Sequence, residues 1–67
     1  MYAQSIENGF QLVNTKPEVV FKILKTNLKD VYIITDKKGV FYKVGERWFA
    51  EYYENNQLQQ IEYQIKF

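Results

Sequence analysis

Thr15-Lys16-Pro17-Glu18-Val19-Val20-Phe21-Lys22-Ile23-Leu24-Lys25-Thr26-Asn27-Leu28, residues 15–28, is the stretch on which the fold class turns. Thr15 followed three residues on by Glu18 matches a capping box, and Pro17 falls in a first helical turn, where its missing N–H costs nothing. At about 100° per residue, Pro17, Val19, Val20, Phe21, Ile23, Leu24 and Leu28 fill roughly 200° of arc. Glu18, Lys22, Lys25, Thr26 and Lys29 take the remainder, with Glu18 and Lys22 in the favourable order for a helical ion pair. The pattern predicts one amphipathic helix that lies on a core and ends between Asn27 and Asp30.

Downstream the period changes to two. Val31-Tyr32-Ile33-Ile34-Thr35 is a strand by its β-branched and aromatic content. Asp36-Lys37-Lys38-Gly39 reads as a hairpin loop in which Gly39 supplies a positive φ, and Val40 to Val44 is a second strand. Gly45-Glu46 fits a two-residue turn, the third strand runs through Arg47-Trp48-Phe49-Ala50-Glu51-Tyr52-Tyr53-Glu54, and Asn55-Asn56 fits a turn of two left-handed residues. Gln57 to Phe67 is the fourth strand. These loop lengths set a register. Tyr32, Ile34, Phe41, Lys43, Trp48, Ala50, Tyr52, Ile61, Tyr63, Ile65 and Phe67 share one face, which is nearly all apolar and forms a floor for the helix. The opposite face carries Val31, Ile33, Val40, Tyr42, Val44 and Phe49 as an apolar cluster.

The resulting fold class is α+β: one amphipathic helix packed on an antiparallel four-stranded meander, in the order α-β-β-β-β. Phe10-Gln11-Leu12-Val13 suits either an extra short N-terminal strand at 10–13 or a segment that covers the second sheet face together with Ile6. Residues 1–9 are polar and read as flexible. The 67 residues make one small domain, of a size that buries only about 60% of its unfolded surface and therefore has a marginal core.

Composition removes several chemistries. The chain has no cysteine and no histidine, which eliminates disulfides, thiolate nucleophiles and the commonest metal ligand and general base. Ser5 and the threonines have no local base, and Gly9, Gly39 and Gly45 are isolated rather than grouped as a phosphate loop. Glu51 and Glu62 fall on one face but among polar neighbours. The expectation is a non-enzymatic protein with no cofactor and no metal. The N-terminus lacks the basic and apolar regions of a leader peptide, and no apolar run approaches the roughly 20 residues of a membrane span, so a cytoplasmic protein is expected.

Two functional readings follow. With 18% aromatic residues and aromatics on both faces of the meander, the chain reads as a protein-interaction module. It would bind itself as a homodimer, or a larger protein as an inhibitor or immunity-type binder. The contact residues would be Val40, Tyr42, Val44, Arg47, Phe49 and Tyr53, because rigid aromatics and Arg dominate interface energetics. The alternative is a small nucleic-acid-binding domain that uses Lys37, Lys38, Lys43 and Arg47 between aromatic rings. The net charge of +1 supplies little general attraction to phosphate. Gly45 to Glu51 resembles the central strand of AP2-type DNA-binding domains, although those place their helix after the sheet. Pro17-Glu18-Val19 together with Tyr52 to Leu58 resembles PepSY-type modules, without their Asn-Gly turn. Neither resemblance assigns a role to any residue.

Overall fold

A computed structural model describes all residues, 1–67. It contains seven strands and no helix: β1 (Tyr2–Ile6), β2 (Gly9–Val13), β3 (Val19–Lys25), β4 (Val31–Ile34), β5 (Gly39–Val44), β6 (Arg47–Glu54) and β7 (Gln57–Tyr63). They form one sheet in which every strand pairs antiparallel with its neighbour in sequence. The α+β expectation is therefore wrong, and the domain is all-β. With no helix present, none is long and apolar enough to cross a membrane.

The error lies in residues 17–28. An apolar arc as broad as 200° discriminates poorly between helix and strand, and Val19, Val20 and Ile23 are β-branched residues that favour extended backbone. In β3 the odd positions Phe21 and Ile23 are buried, while Lys22 and Lys25 are exposed. The apparent capping box belongs to a loop instead. The Asn14 side-chain oxygen accepts the backbone N–H of Lys16 at 3.0 Å and of Glu18 at 2.8 Å, and so closes the β2–β3 connection. A lone helix of this length is marginal in water. As a strand, the same segment is paired on both sides, by β2 and by β4.

The N-terminal third is also sheet. The option of a strand at 10–13 is realised as β2, and Tyr2–Ile6 in the segment read as flexible pairs with it from Tyr2↔Val13 to Ile6↔Gly9. Residues 6–13 thus stand in the sheet wall and do not cover the second face of the meander. Gly9 is needed for close approach, since a Cβ there would fall on the Ile23 carbonyl. Gly39 serves the same purpose. Its φ is not positive, contrary to expectation, but a Cβ would meet the Glu51 carbonyl and stand 2.5 Å from the Tyr52 Cβ.

The sheet rolls until its ends meet. In a meander with an odd number of strands the first and last run parallel, and here Tyr2 bridges Lys66 in parallel fashion, three positions past the end of β7. Rolling places side chains from distant strands in contact. Phe21 of β3 packs on Tyr52 of β6 and Tyr63 of β7, with ring centroids 6.1 and 5.6 Å apart. Phe10 of β2 meets Tyr32 of β4 and Phe67, at 6.0 and 5.2 Å. The core is Leu12, Phe21, Ile23, Ile34, Phe41, Ala50 and Tyr52, lined by partly buried Phe10, Tyr32, Trp48, Tyr63 and Ile65.

The register expected for residues 31–63 agrees with the observed pairs Tyr32↔Phe41, Phe41↔Ala50 and Ala50↔Ile61. The two-residue turns also agree: Gly45 has φ 62°, and Asn55 and Asn56 have φ 51° and 62°. The face assigned as a floor for a helix is in fact the barrel interior, and β2 and β3 provide the cover expected of the helix. Because Phe21 is 2% exposed and Val19 48%, Phe21→Ala should cost about 3–5 kcal/mol and Val19→Thr less than about 1 kcal/mol, read by denaturant unfolding. Equal losses at the two positions would contradict the strand.

Candidate interaction surface

The strand alternation that fills the barrel also sends the remaining side chains outward. Across β4 to β7 they form two cross-strand rows, Val31–Tyr42–Phe49–Glu62 and Ile33–Val40–Glu51–Gln60. The Tyr42 and Phe49 rings stack with centroids 5.7 Å apart and planes at 28°. Both are half-buried, and Ile33, Val40 and Val44 beside them are exposed.

Polar bonds hold the Tyr42 hydroxyl, and a guanidinium lies beside the Phe49 ring. The Tyr42 hydroxyl donates to Glu51 Oε2 at 2.6 Å and accepts from Gln60 Nε2 at 2.8 Å. Gln60 also donates to the same Glu51 oxygen at 3.2 Å. The Glu51 contact is the main reason the Tyr42 hydroxyl is held above its ordinary pKa, since a carboxylate acceptor favours the protonated phenol. Arg47 grips Glu62 through two nitrogens, Nε at 3.0 Å and Nη2 at 2.7 Å, with its guanidinium 5.3 Å from the Phe49 ring centroid. That bidentate bond raises the Arg47 pKa and lowers that of Glu62. The result is a rigid aromatic pair with a neutralised ion pair on one flank and a polar triad on the other.

Of the residues expected to bind a partner, Val40, Tyr42, Val44, Arg47 and Phe49 come together on this surface. Tyr53 points the same way but lies four residues along β6 from Phe49, about 13 Å away, and pairs with Leu58 instead. The sequence reading left Glu51, Gln60 and Glu62 out of the contact set. The signal was present in the register, which sets Tyr42 beside Phe49, Glu51 across from Gln60 and Phe49 across from Glu62.

The basic residues of the alternative reading do not converge. Lys37 and Lys38 sit in the β4–β5 loop, whereas Lys43 and Arg47 flank the β5–β6 turn at the other end of β5, roughly 15 Å away. Lys37 is engaged with Glu54 at 3.5 Å and lies 4.7 Å from the Tyr52 ring centroid. Lys43 belongs to the inner-face row, with its ammonium 5.9 Å from the Trp48 centroid. Arg47 is committed to Glu62. An open groove of about 400 Å³ runs beside that pair, lined by Lys43, Trp48, Tyr63 and Ile65 among others. No three carboxylates lie close enough to hold a metal ion.

Glu62 gives a direct probe of this arrangement. Its folded pKa is depressed, so the Arg47 contact stabilises the fold above the unfolded carboxylate pKa, and that contribution is lost as pH falls through the lower folded value. In an NMR pH titration, Glu62 should titrate below the ordinary value of a glutamate carboxyl, and Arg47→Gln should raise it. An unchanged Glu62 titration in Arg47→Gln would mean that the bidentate pair does not form in solution. No protein-family model, curated protein or solved structure matches this chain.

Proposed function

We propose that this protein is a non-catalytic binding module that presents the outer face of β4–β6 to an apolar surface of a protein partner. The carrying observation is the stacked Tyr42–Phe49 pair, which sits outside a barrel whose core is filled from within and is immobilised by Glu51, Gln60 and Arg47. Aromatic residues held in one conformation lose little entropy on binding, and they are the residue types that supply most interface energy. Val31, Ile33, Val40 and Val44 extend the apolar area around them. Arg47 and Glu62 pair with each other, and the Glu51 carboxylate is bonded by the neutral Tyr42 and Gln60 side chains, so the complementary surface is mainly apolar with a polar group or a cation opposite Glu51. Inhibition or neutralisation of a larger protein is the form of activity that suits a small rigid module of this kind.

Nucleic-acid binding finds less support, because Lys37 and Lys38 lie at one end of β5 and Lys43 and Arg47 at the other. The test is selection of binders from a displayed library of protein fragments, followed by affinity measurement on purified pairs. Tyr42→Ser combined with Phe49→Ser should leave the barrel folded and weaken the selected partners by about 100-fold. Affinity should change little between low and high salt, whereas phosphate contacts would make it fall steeply. Partners that bind the double variant undiminished would overturn the assignment of this face.

A further inference from the structure

The seam where the barrel closes is only half used. Residues of an antiparallel strand alternate between bonding one neighbour and turning their backbone groups to the other side. Past the end of β7, Gln64 and Lys66 turn away from β6 and are occupied. The Gln64 carbonyl accepts the Met1 amino group at 2.8 Å, Lys66 N–H donates to the Met1 carbonyl at 2.8 Å, and the Lys66 carbonyl accepts Ala3 N–H at 2.9 Å. By the same alternation Leu58, Gln60 and Glu62 turn their N–H and carbonyl groups to that side. There β7 has no neighbouring strand, and no backbone bond outside the ladders reaches these residues. The wall is open at this place: Ile61 faces inward yet is 38% exposed.

Free edges are usually protected by lysine, proline or a bulge. Gln57-Leu58-Gln59-Gln60-Ile61-Glu62-Tyr63 has no lysine and no proline, and its pairing with β6 is unbroken from Glu54↔Gln57 to Trp48↔Tyr63. The polar side chains that could shield the edge are drawn onto the outer face, Gln60 to Tyr42 and Glu51, and Glu62 to Arg47.

The geometry points to a second copy of this chain as the occupant of that edge, with two β7 strands pairing antiparallel about a two-fold axis at Gln60. The free residues are spaced by two, so this register sets Gln60 opposite its own counterpart and Leu58 opposite Glu62 in both directions. All three free residues on each strand are then bonded, with about six hydrogen bonds in total. A shift of two residues toward the Asn55-Asn56 turn leaves Glu62 unpaired on each strand. A shift the other way leaves Leu58 opposite Gln64, which Met1 already holds. No like charges face each other, since Glu62 opposes Leu58. The interface is self-complementary, as two-fold symmetry requires. It uses backbone groups at the sheet edge, while the Gln60 and Glu62 side chains stay on the adjoining outer face assigned to a foreign partner.

Sedimentation equilibrium of the full chain, paired with amide hydrogen exchange over the same concentrations, tests this. A monomer–dimer equilibrium is expected, with the Leu58, Gln60 and Glu62 amides gaining protection as concentration rises. Leu58→Pro removes an N–H that points away from β6, a place where an edge strand tolerates proline, and leaves the Tyr42–Glu51–Gln60 bonds in place. It should raise the dimer dissociation constant by about 30-fold, which corresponds to two net hydrogen bonds. If that variant does not fold, exchange in the unsubstituted chain still decides. A monomer at all concentrations, or a dimer whose three amides exchange freely, overturns the edge interface. So does a folded Leu58→Pro variant that dimerises as well as the parent. A dimer lost instead in Tyr42→Ser/Phe49→Ser would move self-association to the outer face.

Discussion

Closure of the sheet on itself is the constraint on which the rest of this structure depends. Three hydrogen bonds join Met1 and Ala3 to Gln64 and Lys66, and they hold the two ends of a seven-stranded sheet together. With all seven strands in one sheet there is no second layer to cover its apolar face, and rolling lets the sheet cover itself. The ring contacts of Phe21 with Tyr63, and of Phe10 with Phe67, exist only in the rolled form, because the strands concerned are far apart along the sheet. Odd strand number makes the joint parallel, and its register engages the residues just past β7 and leaves Leu58 to Glu62 unpaired on that side.

Rolling also explains the two-sided aromatic content. Phe41, Tyr52, Phe21 and Trp48 are spent on the interior, while Tyr42 and Phe49 have no part in it. Their rigidity comes from cross-strand chemistry: a phenol bonded to a carboxylate on one side, and a guanidinium laid beside a ring and bound to a carboxylate on the other. Tyr42–Glu51 and Arg47–Glu62 are diagonal pairs on adjacent strands, within the reach of side chains on one face of a sheet, and Arg47 and Phe49 lie two residues apart on β6.

From Val31 to Tyr63 the register was legible, although Gly39 lacks the positive φ expected of it and the last strand ends at Tyr63 rather than Phe67. Gly45 and the Asn55-Asn56 pair announce tight turns whose lengths admit one register, and that register sorts Phe41 from Tyr42 and Trp48 from Phe49 to opposite faces without reference to the rest of the chain. The members of the candidate surface follow from it, and so do the Tyr42–Phe49 and Phe49–Glu62 pairings. The bonds that immobilise Tyr42 were less accessible, because a pairing list does not say which rotamers meet.

Residues 1–30 were not legible in the same way, and the reason is physical. Val19 to Leu24 is a nearly continuous apolar run that satisfies a helical arc and a buried strand equally well, and Thr15-x-x-Glu18 resembles a cap that Asn14 pre-empts. Local pattern leaves such a segment undecided; the hydrogen-bonding partners on either side decide it. The sequence by itself determined the hairpins, their register and the two faces of the C-terminal half, since short turns couple neighbours that are close along the chain. Only the tertiary structure decided that Val19–Lys25 is a strand, that the apolar face closes on itself, and that part of β7 is left with free backbone groups. Those outcomes depend on contacts between residues as distant as Met1 and Lys66, whose meeting no local spacing encodes.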